Sequence, residues 1–220
     1  RIYLHEPFLA AISLEISKRP EGRIETAAVG FDPSTHDLVM FYYPEFFRKL
    51  TTKERMGVIR HELYHVVFQH ITDRWPTDKT MHKTFNIATD MAINSIIGAE
   101  NLPDLAIIPG KAIKPRKDDT ELDKKFGEFV LNAPLLQSSD YYFEQIKKLI
   151  EEDKKNGGEG TINVVNGVDE HDLWGRLPDH VRDMIKEKIK GIVVKAAKTA
   201  DQSNQWGNIP SEIQERIRKM

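Results

Sequence analysis

The feature that most constrains this chain is a pair of histidines four positions apart, His61 and His65, with Glu62 directly after the first. On an α-helix, residues four apart lie one above the other on the same face, so both imidazoles can reach one metal ion. Zn²⁺ accepts imidazole nitrogen and keeps one position open for water in catalytic sites. A carboxylate beside that water can act as a general base. The spacing therefore predicts that His61 and His65 bind a metal and that Glu62 activates water.

The residues around this motif predict that it lies on a buried helix. Thr51 and Glu54 have the spacing of a capping box, which marks a helix start. Tyr64 is expected to face the core, and Gln69 and His70 are interpreted as polar groups at the helix end. The alternative is an amphipathic helix whose histidines face solvent and bind nothing. A buried side for the helix is supported by apolar residues at helical spacing, namely Met56, Ile59, Leu63, Val66 and Val67.

A second helix, predicted over residues 85–97, carries Asn86, Asp90 and Asn94 at intervals of four. A buried polar group without a partner costs about 1–3 kcal/mol, so a polar line on an otherwise apolar helix needs a reason. A metal and the hydrogen bonds around its ligands would be such a reason. Asp90 is therefore the predicted third metal ligand, and Asn86 and Asn94 are expected to orient it or the histidines. The alternative is a polar stripe that faces solvent.

A third polar cluster, Asp169-Glu170-His171, lies in a predicted loop. It can be interpreted as a helix N-cap with solvated neighbours. In a functional interpretation, His171 lies over the metal and donates a hydrogen bond to the oxyanion of the tetrahedral intermediate. His171 could instead be the third ligand, with Asp90 hydrogen-bonding to the site. We assign His171 to oxyanion stabilisation and Asp169 to the hydrogen bonds around the ligands, and the sequence leaves the other assignments open.

Composition argues against several classes of protein. The 32 basic and 34 acidic residues give a net charge of −2, which offers no electrostatic footprint for nucleic acid or an anionic membrane. No apolar run approaches the length that spans a bilayer. Without cysteine, histidines and carboxylates are the candidate metal ligands. No signal peptide is recognisable, so a cytoplasmic location is expected, although an upstream segment could have been removed.

The remaining patterns predict an α+β fold, mostly helical, with a small mixed or antiparallel sheet over the motif helix. Residues 24–31 and 37–43 are expected to form a β-hairpin across a turn rich in turn-forming residues. Either strand could bind a substrate main chain by strand addition, or the hairpin could be purely structural. A further helix is predicted over 2–19, with its regular part starting near Pro7, and another over 141–155, with Ser138 or Ser139 as its N-cap. Helices are also predicted over 178–198 and after Ser211.

The chain is predicted to be one domain in three parts. Residues 1–110 would form a core that holds both metal-binding helices. Residues 111–170 would form an insertion or second lobe, and residues 171–220 the C-terminal helices.

Five segments follow one another in a distinctive order: Pro44-Glu45-Phe46-Phe47, His61-Glu62-x-x-His65, Asn86-Ile87-Ala88-x-Asp90-x-x-Ile93-Asn94, Asp169-Glu170-His171 and Ile209-Pro210-Ser211. This order resembles the metallopeptidase domain family found N-terminal to VWA-like domains in bacterial and phage proteins. The resemblance covers most of the chain and is weakest over residues 111–138. It implies a zincin-like fold in which the two motif helices pack together under a sheet. It also implies zinc hydrolase chemistry.

We therefore predict a zinc-dependent metallopeptidase that acts on a peptide or protein. His61, His65 and Asp90 would bind Zn²⁺, and Glu62 would pass the proton of the attacking water to the leaving amine. A VWA-like domain or an AAA+ ATPase is the expected partner. The alternative is a catalytically inactive, metal-stabilised protein-binding module partnered with a VWA-like domain, which would bind zinc without hydrolysis. A further alternative is a helical scaffold that binds no metal. In that case the substitution His61→Ala would leave the stability of the protein unchanged.

Overall fold

The structure, a computed structural model, describes residues 6–32, 34–72, 76, 78–163, 179–207 and 209–220. The chain divides into two compact units, Arg1–Trp75 with Asp169–Met220, and Pro76–Val168. The predicted single domain with its parts 1–110, 111–170 and 171–220 stays a prediction. No helix in the part of the chain that the structure describes is long and apolar enough to cross a membrane.

The described elements follow one another in an order typical of an α+β protein. Short 3₁₀ turns lie at Lys79–Met81 and Ala99–Asn101. The helices and strands are, in chain order, α1 (Pro7–Leu14), β1 (Ser17–Pro20), β2 (Ala27–Asp32), β3 (Asp37–Tyr42), α2 (Pro44–Lys49), α3 (Thr52–Val67), α4 (His82–Ile97), α5 (Glu121–Asn132), α6 (Ser139–Lys155), α7 (Asp179–Ser203) and α8 (Ser211–Arg218). The predicted α+β class, mostly helical with a small mixed sheet, is confirmed.

The described strands form a mixed sheet in the order β1-β3-β2. The predicted hairpin is confirmed, since β2 runs antiparallel to β3 with Val29 opposite Met40. Strand β1 runs parallel to β3 on the other side, with Ser17 opposite Val39. Because β3 is paired on both sides, it cannot add a substrate strand. Of the two hairpin strands, only β2 lies at an edge of the sheet within the described residues.

The helix predicted over residues 2–19 is wrong in its second half. Helix α1 starts at Pro7, as the proline indicates, but it ends at Leu14. Residues Ser17–Pro20 form β1 instead. Pairing with β3 satisfies the backbone of this segment, and a residue before proline favours extended backbone. Tertiary pairing therefore outweighs the helical pattern of the sequence.

The second unit has its own apolar core, built from α4, α5 and α6. Helix α6 and its N-cap are confirmed, with the Ser138 hydroxyl accepting from the Tyr141 N–H. Helix α5 was not predicted, although Thr120 and Asp123 form a capping box at its start. The most buried side chains of this core include Met91, Phe126, Val130, Tyr142 and Ile146.

Helices α7 and α8 confirm the two C-terminal helices expected from the sequence. They belong to the first unit, where α7 packs against α1. Phe8 of α1 stacks on Trp206, with ring centroids 4.9 Å apart. This contact ties the start of the described chain to the connection between α7 and α8.

Candidate metal centre

The motif helix α3 starts where the sequence predicts. The Thr51 hydroxyl accepts a hydrogen bond from the Glu54 N–H, and the Glu54 carboxylate accepts one from the Thr51 N–H at 2.7 Å. These two bonds satisfy backbone donors that the first turn of a helix would otherwise leave open. The capping box is confirmed, and it sets the register of the following residues.

This register buries the motif completely. The side chains of His61, Glu62 and His65 are each 0 % exposed, and Tyr64 is also buried, as predicted. The Nε2 atoms of His61 and His65 lie 3.0 Å apart. Two nitrogen lone pairs at this distance repel, so the pair must share a proton or converge on a cation. The alternative of solvent-facing histidines is wrong.

Asp90 of α4 completes a group of three candidate ligands. It is 5 % exposed, and His61, His65 and Asp90 are a group of residues that could hold a metal ion. Asn94 is buried as well, so the alternative of a polar stripe facing solvent is wrong. These are the three residues that the sequence named as ligands, and their assignment as ligands stays a prediction.

The donor set fits a divalent metal ion. In a tetrahedral site with Zn–N distances near 2.0–2.1 Å, two nitrogen ligands lie about 3.3 Å apart. The observed separation of 3.0 Å between the Nε2 atoms is close to that requirement. Two neutral imidazoles and one carboxylate also suit first-row metals that prefer nitrogen and oxygen ligands. The separation of the two nitrogens and the set of donor atoms thus support a metal ion.

Asn94 and Asn86, which the sequence predicts to orient the ligands, both form hydrogen bonds with other residues. The side-chain amide of Asn94 donates to the carbonyl oxygen of Ile107 at 3.0 Å, so it holds the segment that follows α4. The carbonyl oxygen of Asn86 accepts from the Thr89 hydroxyl at 2.8 Å. Their roles in orienting ligands stay predictions. Asp169, Glu170 and His171 lie outside the described residues.

Glu62 is held by the sheet. Its Oε2 accepts a hydrogen bond from the backbone N–H of Val29 in β2 at 2.9 Å. All six residues of β2 are buried, and the strand packs against α3. The edge strand that could have bound a substrate main chain therefore uses one backbone donor to hold the carboxylate of the motif. Sequence reasoning missed this contact because it joins residues 33 positions apart.

An ion pair on α3 involves Arg60, the residue before His61. Its guanidinium pairs with the carboxylate of Glu6, which is almost completely buried. Tyr64 lies close to this pair. Burial and the charge of Glu6 raise the pKa of the Tyr64 hydroxyl well above its ordinary value, and Arg60 opposes the shift. Tyr64 therefore stays protonated and acts as a core residue.

His70 contacts His65, and the sequence did not predict this contact. Its Nδ1 lies 3.1 Å from the Nδ1 of His65, on the side of the ring away from His61. It is 7 % exposed. The sequence predicts Gln69 and His70 as polar groups at the helix end, and the backbone turn at this end brings the rings of His70 and His65 together.

Residues 1–193 match the model of a family described as "Putative metallopeptidase domain". The chain belongs to this family. A protein of Thermotoga maritima, named "Uncharacterized protein", is 26% identical over 171 residues, which are 75% of this chain and 40% of that protein. The chain thus spans less than half the length of this relative. No solved structure matches the chain. The association with a VWA-like domain or an AAA+ ATPase stays a prediction.

Proposed function

We propose that the protein is a zinc-dependent metallopeptidase in which Glu62 is the general base. The observation that carries this proposal is a completely buried carboxylate next to two converging imidazoles. Burying a carboxylate costs several kcal/mol unless other groups compensate. A site that only binds metal needs His61, His65 and Asp90. In such a site the buried carboxylate of Glu62 would destabilise the fold without contributing to metal binding. Membership of the metallopeptidase family supports the same conclusion.

In this proposal His61, His65 and Asp90 hold the ion. Bound Zn²⁺ supplies a Lewis acid that lowers the pKa of water and polarises the scissile carbonyl group. Glu62 takes the proton of the attacking water as the new C–O bond forms. It delivers that proton to the leaving nitrogen as the C–N bond breaks. The Val29 N–H keeps the carboxylate in place through both transfers.

His171 and Asp169 complete the proposal. His171 is assigned to donate a hydrogen bond to the oxyanion, which is a common source of transition-state stabilisation. Asp169 is assigned to hydrogen bonds around the ligands, with Asn86 and Asn94. The substrate class is a peptide or protein.

The test compares zinc-loaded parent protein with Glu62→Gln on a mixture of unstructured peptides, with cleavage followed by mass spectrometry. Glu45→Gln is the matched control, because Glu45 lies on α2, away from the three candidate ligands in sequence. We expect Glu62→Gln to lower the cleavage rate by about 10²–10⁴-fold, the usual contribution of a general base, with zinc content unchanged. Equal cleavage by Glu62→Gln would contradict the proposal.

A second candidate is the inactive, metal-stabilised binding module. One observation favours it, since hydrolysis requires access for substrate and the side chains of His61, Glu62 and His65 have none to solvent. This candidate expects zinc in the protein and no cleavage of any peptide in the mixture. It also expects Glu62→Gln to leave partner binding unchanged.

A further inference from the structure

The turn that ends the motif helix has a defined geometry. The N–H of His70 donates to the carbonyl of His65 at 3.0 Å, and the N–H of Gln69 donates to that of Val66 at 3.0 Å. Gln69 has a φ of 57°. These two bonds around a left-handed residue form a Schellman motif, in which glycine is the usual left-handed residue. The turn therefore returns the chain at His70 over the last turn of α3.

In a Schellman motif, the residue after the left-handed one contacts the residue whose carbonyl oxygen accepts its N–H. That contact is usually apolar. Here the contact joins two imidazoles, those of His70 and His65. Their Nδ1 atoms lie 3.1 Å apart, and the ring centroids are 5.1 Å apart at an interplanar angle of 67°. Both rings are buried, so their nitrogens need hydrogen-bond partners within the protein.

The proposed metal site would fix the proton positions on the two rings. The Nε2 of His65 faces His61, so it is the nitrogen that would bind a metal with its lone pair. A neutral His65 that binds a metal through Nε2 would carry its proton on Nδ1 and would donate it to the Nδ1 of His70. Histidine ligands commonly donate their second N–H to an acceptor that fixes the ring orientation and the tautomer.

We propose that His70 is a positioning residue that holds His65 in the tautomer and orientation required for metal binding. The inference rests on the proposed function in one respect, that His65 is a metal ligand. It does not depend on peptide hydrolysis.

Aromatic contacts keep the turn, and with it His70, in place. Phe68 stacks on Tyr64 with ring centroids 5.6 Å apart and an interplanar angle of 13°. Its ring also lies 5.6 Å from that of His70. On α8, the guanidinium of Arg216 lies 5.6 Å from the centroid of Phe68. The His70 ring therefore belongs to a packed cluster, as a positioning residue requires.

The test is a competition titration of the full, metal-free chain with zinc and a chromophoric chelator. His70→Leu removes the acceptor but supplies the apolar contact usual in this turn, so the fold should persist. His70→Asn returns an acceptor oxygen near the position of Nδ1. The matched control is His180→Asn, because His180 is exposed on α7. Circular dichroism of each metal-free variant reports the fold.

We expect His70→Leu to bind zinc roughly 10–100-fold more weakly than the parent, the usual effect of losing a group that orients a ligand. His70→Asn should recover most of the affinity, and His180→Asn should match the parent. If His70→Leu does not fold, His70→Ala takes its place in the comparison with His70→Asn. An acceptor-free variant with parental affinity overturns the inference, as does a His70→Asn variant that binds no better than His70→Leu.

A His61→Ala variant separates this inference from the metal site on which it rests. Zinc binding that requires His61 but is insensitive to His70 overturns the inference alone. A parent protein that binds no zinc, or binds it equally well in His61→Ala, overturns both the metal site and the role of His70. An effect of His70 in a protein that cleaves no peptide supports the inference and contradicts only the proposed hydrolysis.

Discussion

Asp90 can be a metal ligand or a residue that only hydrogen-bonds to a ligand, and the loss of metal affinity on its replacement distinguishes these two roles. A residue that only hydrogen-bonds to a ligand typically changes metal affinity by roughly 10–100-fold when it is replaced. We expect Asp90→Asn to weaken zinc binding by more than that, because it removes a charged ligand. Asp118→Asn, at an exposed position, is the matched control. The chelator competition assay measures both. An Asp90→Asn variant with parental affinity would move the third ligand elsewhere, with His171 as the first residue to examine.

The residues of the site differ in how far the sequence could predict them. His61, His65 and Asp90 follow from helical periodicity, and they are a candidate group of metal ligands in the structure. The hydrogen bond from Val29 to Glu62 joins distant segments and leaves no local pattern. The contact between His70 and His65 depends on the positive φ of Gln69. Because glutamine rarely adopts this conformation, spacing alone does not predict it.

At the level of elements, helix starts were the most predictable features and the β1 segment the least. The capping box at Thr51 and the helix that follows it were expected. Helix α5 has a capping box of the same kind at Thr120, and that signal could have revealed it. Strand β1 could not be predicted from local pattern, because its stability comes from pairing with β3. Hydrogen bonds between residues close in the sequence can therefore be predicted from it, whereas the pairing of strands distant in the sequence cannot.

The capping box of α3 should contribute measurably to stability. We expect Thr51→Ala to lower the free energy of unfolding by about 1 kcal/mol, because it removes the hydroxyl that accepts from the Glu54 N–H. Urea denaturation of the metal-free protein measures the change. Thr52→Ala is the control, since Thr52 lies one residue further along and is not the N-cap. Equal losses in the two variants would contradict a specific role for the cap.

The turn of the β-hairpin should be sensitive to acid. Hydrogen bonds from the Ser34 hydroxyl and N–H, and then from Arg19, lower the pKa of Asp32 to about 2. A carboxylate whose pKa is lower in the folded state stabilises the fold above its unfolded pKa, near 3.9, and loses that contribution as pH falls. We expect Asp32→Asn to be less stable than the parent at neutral pH, and the difference to shrink as pH falls from about 4 towards 2.

Urea unfolding of the metal-free proteins at several pH values tests this prediction. Chelation keeps protonation of the candidate ligands from adding a metal-linked term. A stability difference between parent and Asp32→Asn that stays constant from neutral pH to pH 3 would show that the charge of Asp32 does not stabilise the turn.

For the whole molecule, the family match covers residues 1–193, while the relative from Thermotoga maritima is more than twice as long as the region it shares with this chain. The motif helix lies in the first compact unit and the described apolar core of α4, α5 and α6 in the second. The order of the sequence motifs was sufficient to predict the family. The single domain in three parts that the sequence predicts stays a prediction.

The central claim is that His61, His65 and Asp90 bind one metal ion, and metal content tests it most directly. The protein is purified without added metal, offered zinc, freed of excess by gel filtration and measured by inductively coupled plasma mass spectrometry. We expect about one zinc per chain, as in a mononuclear site, and almost none in the His61→Ala His65→Ala double variant. A parent protein that retains no zinc, or a double variant that retains as much as the parent, would contradict the account.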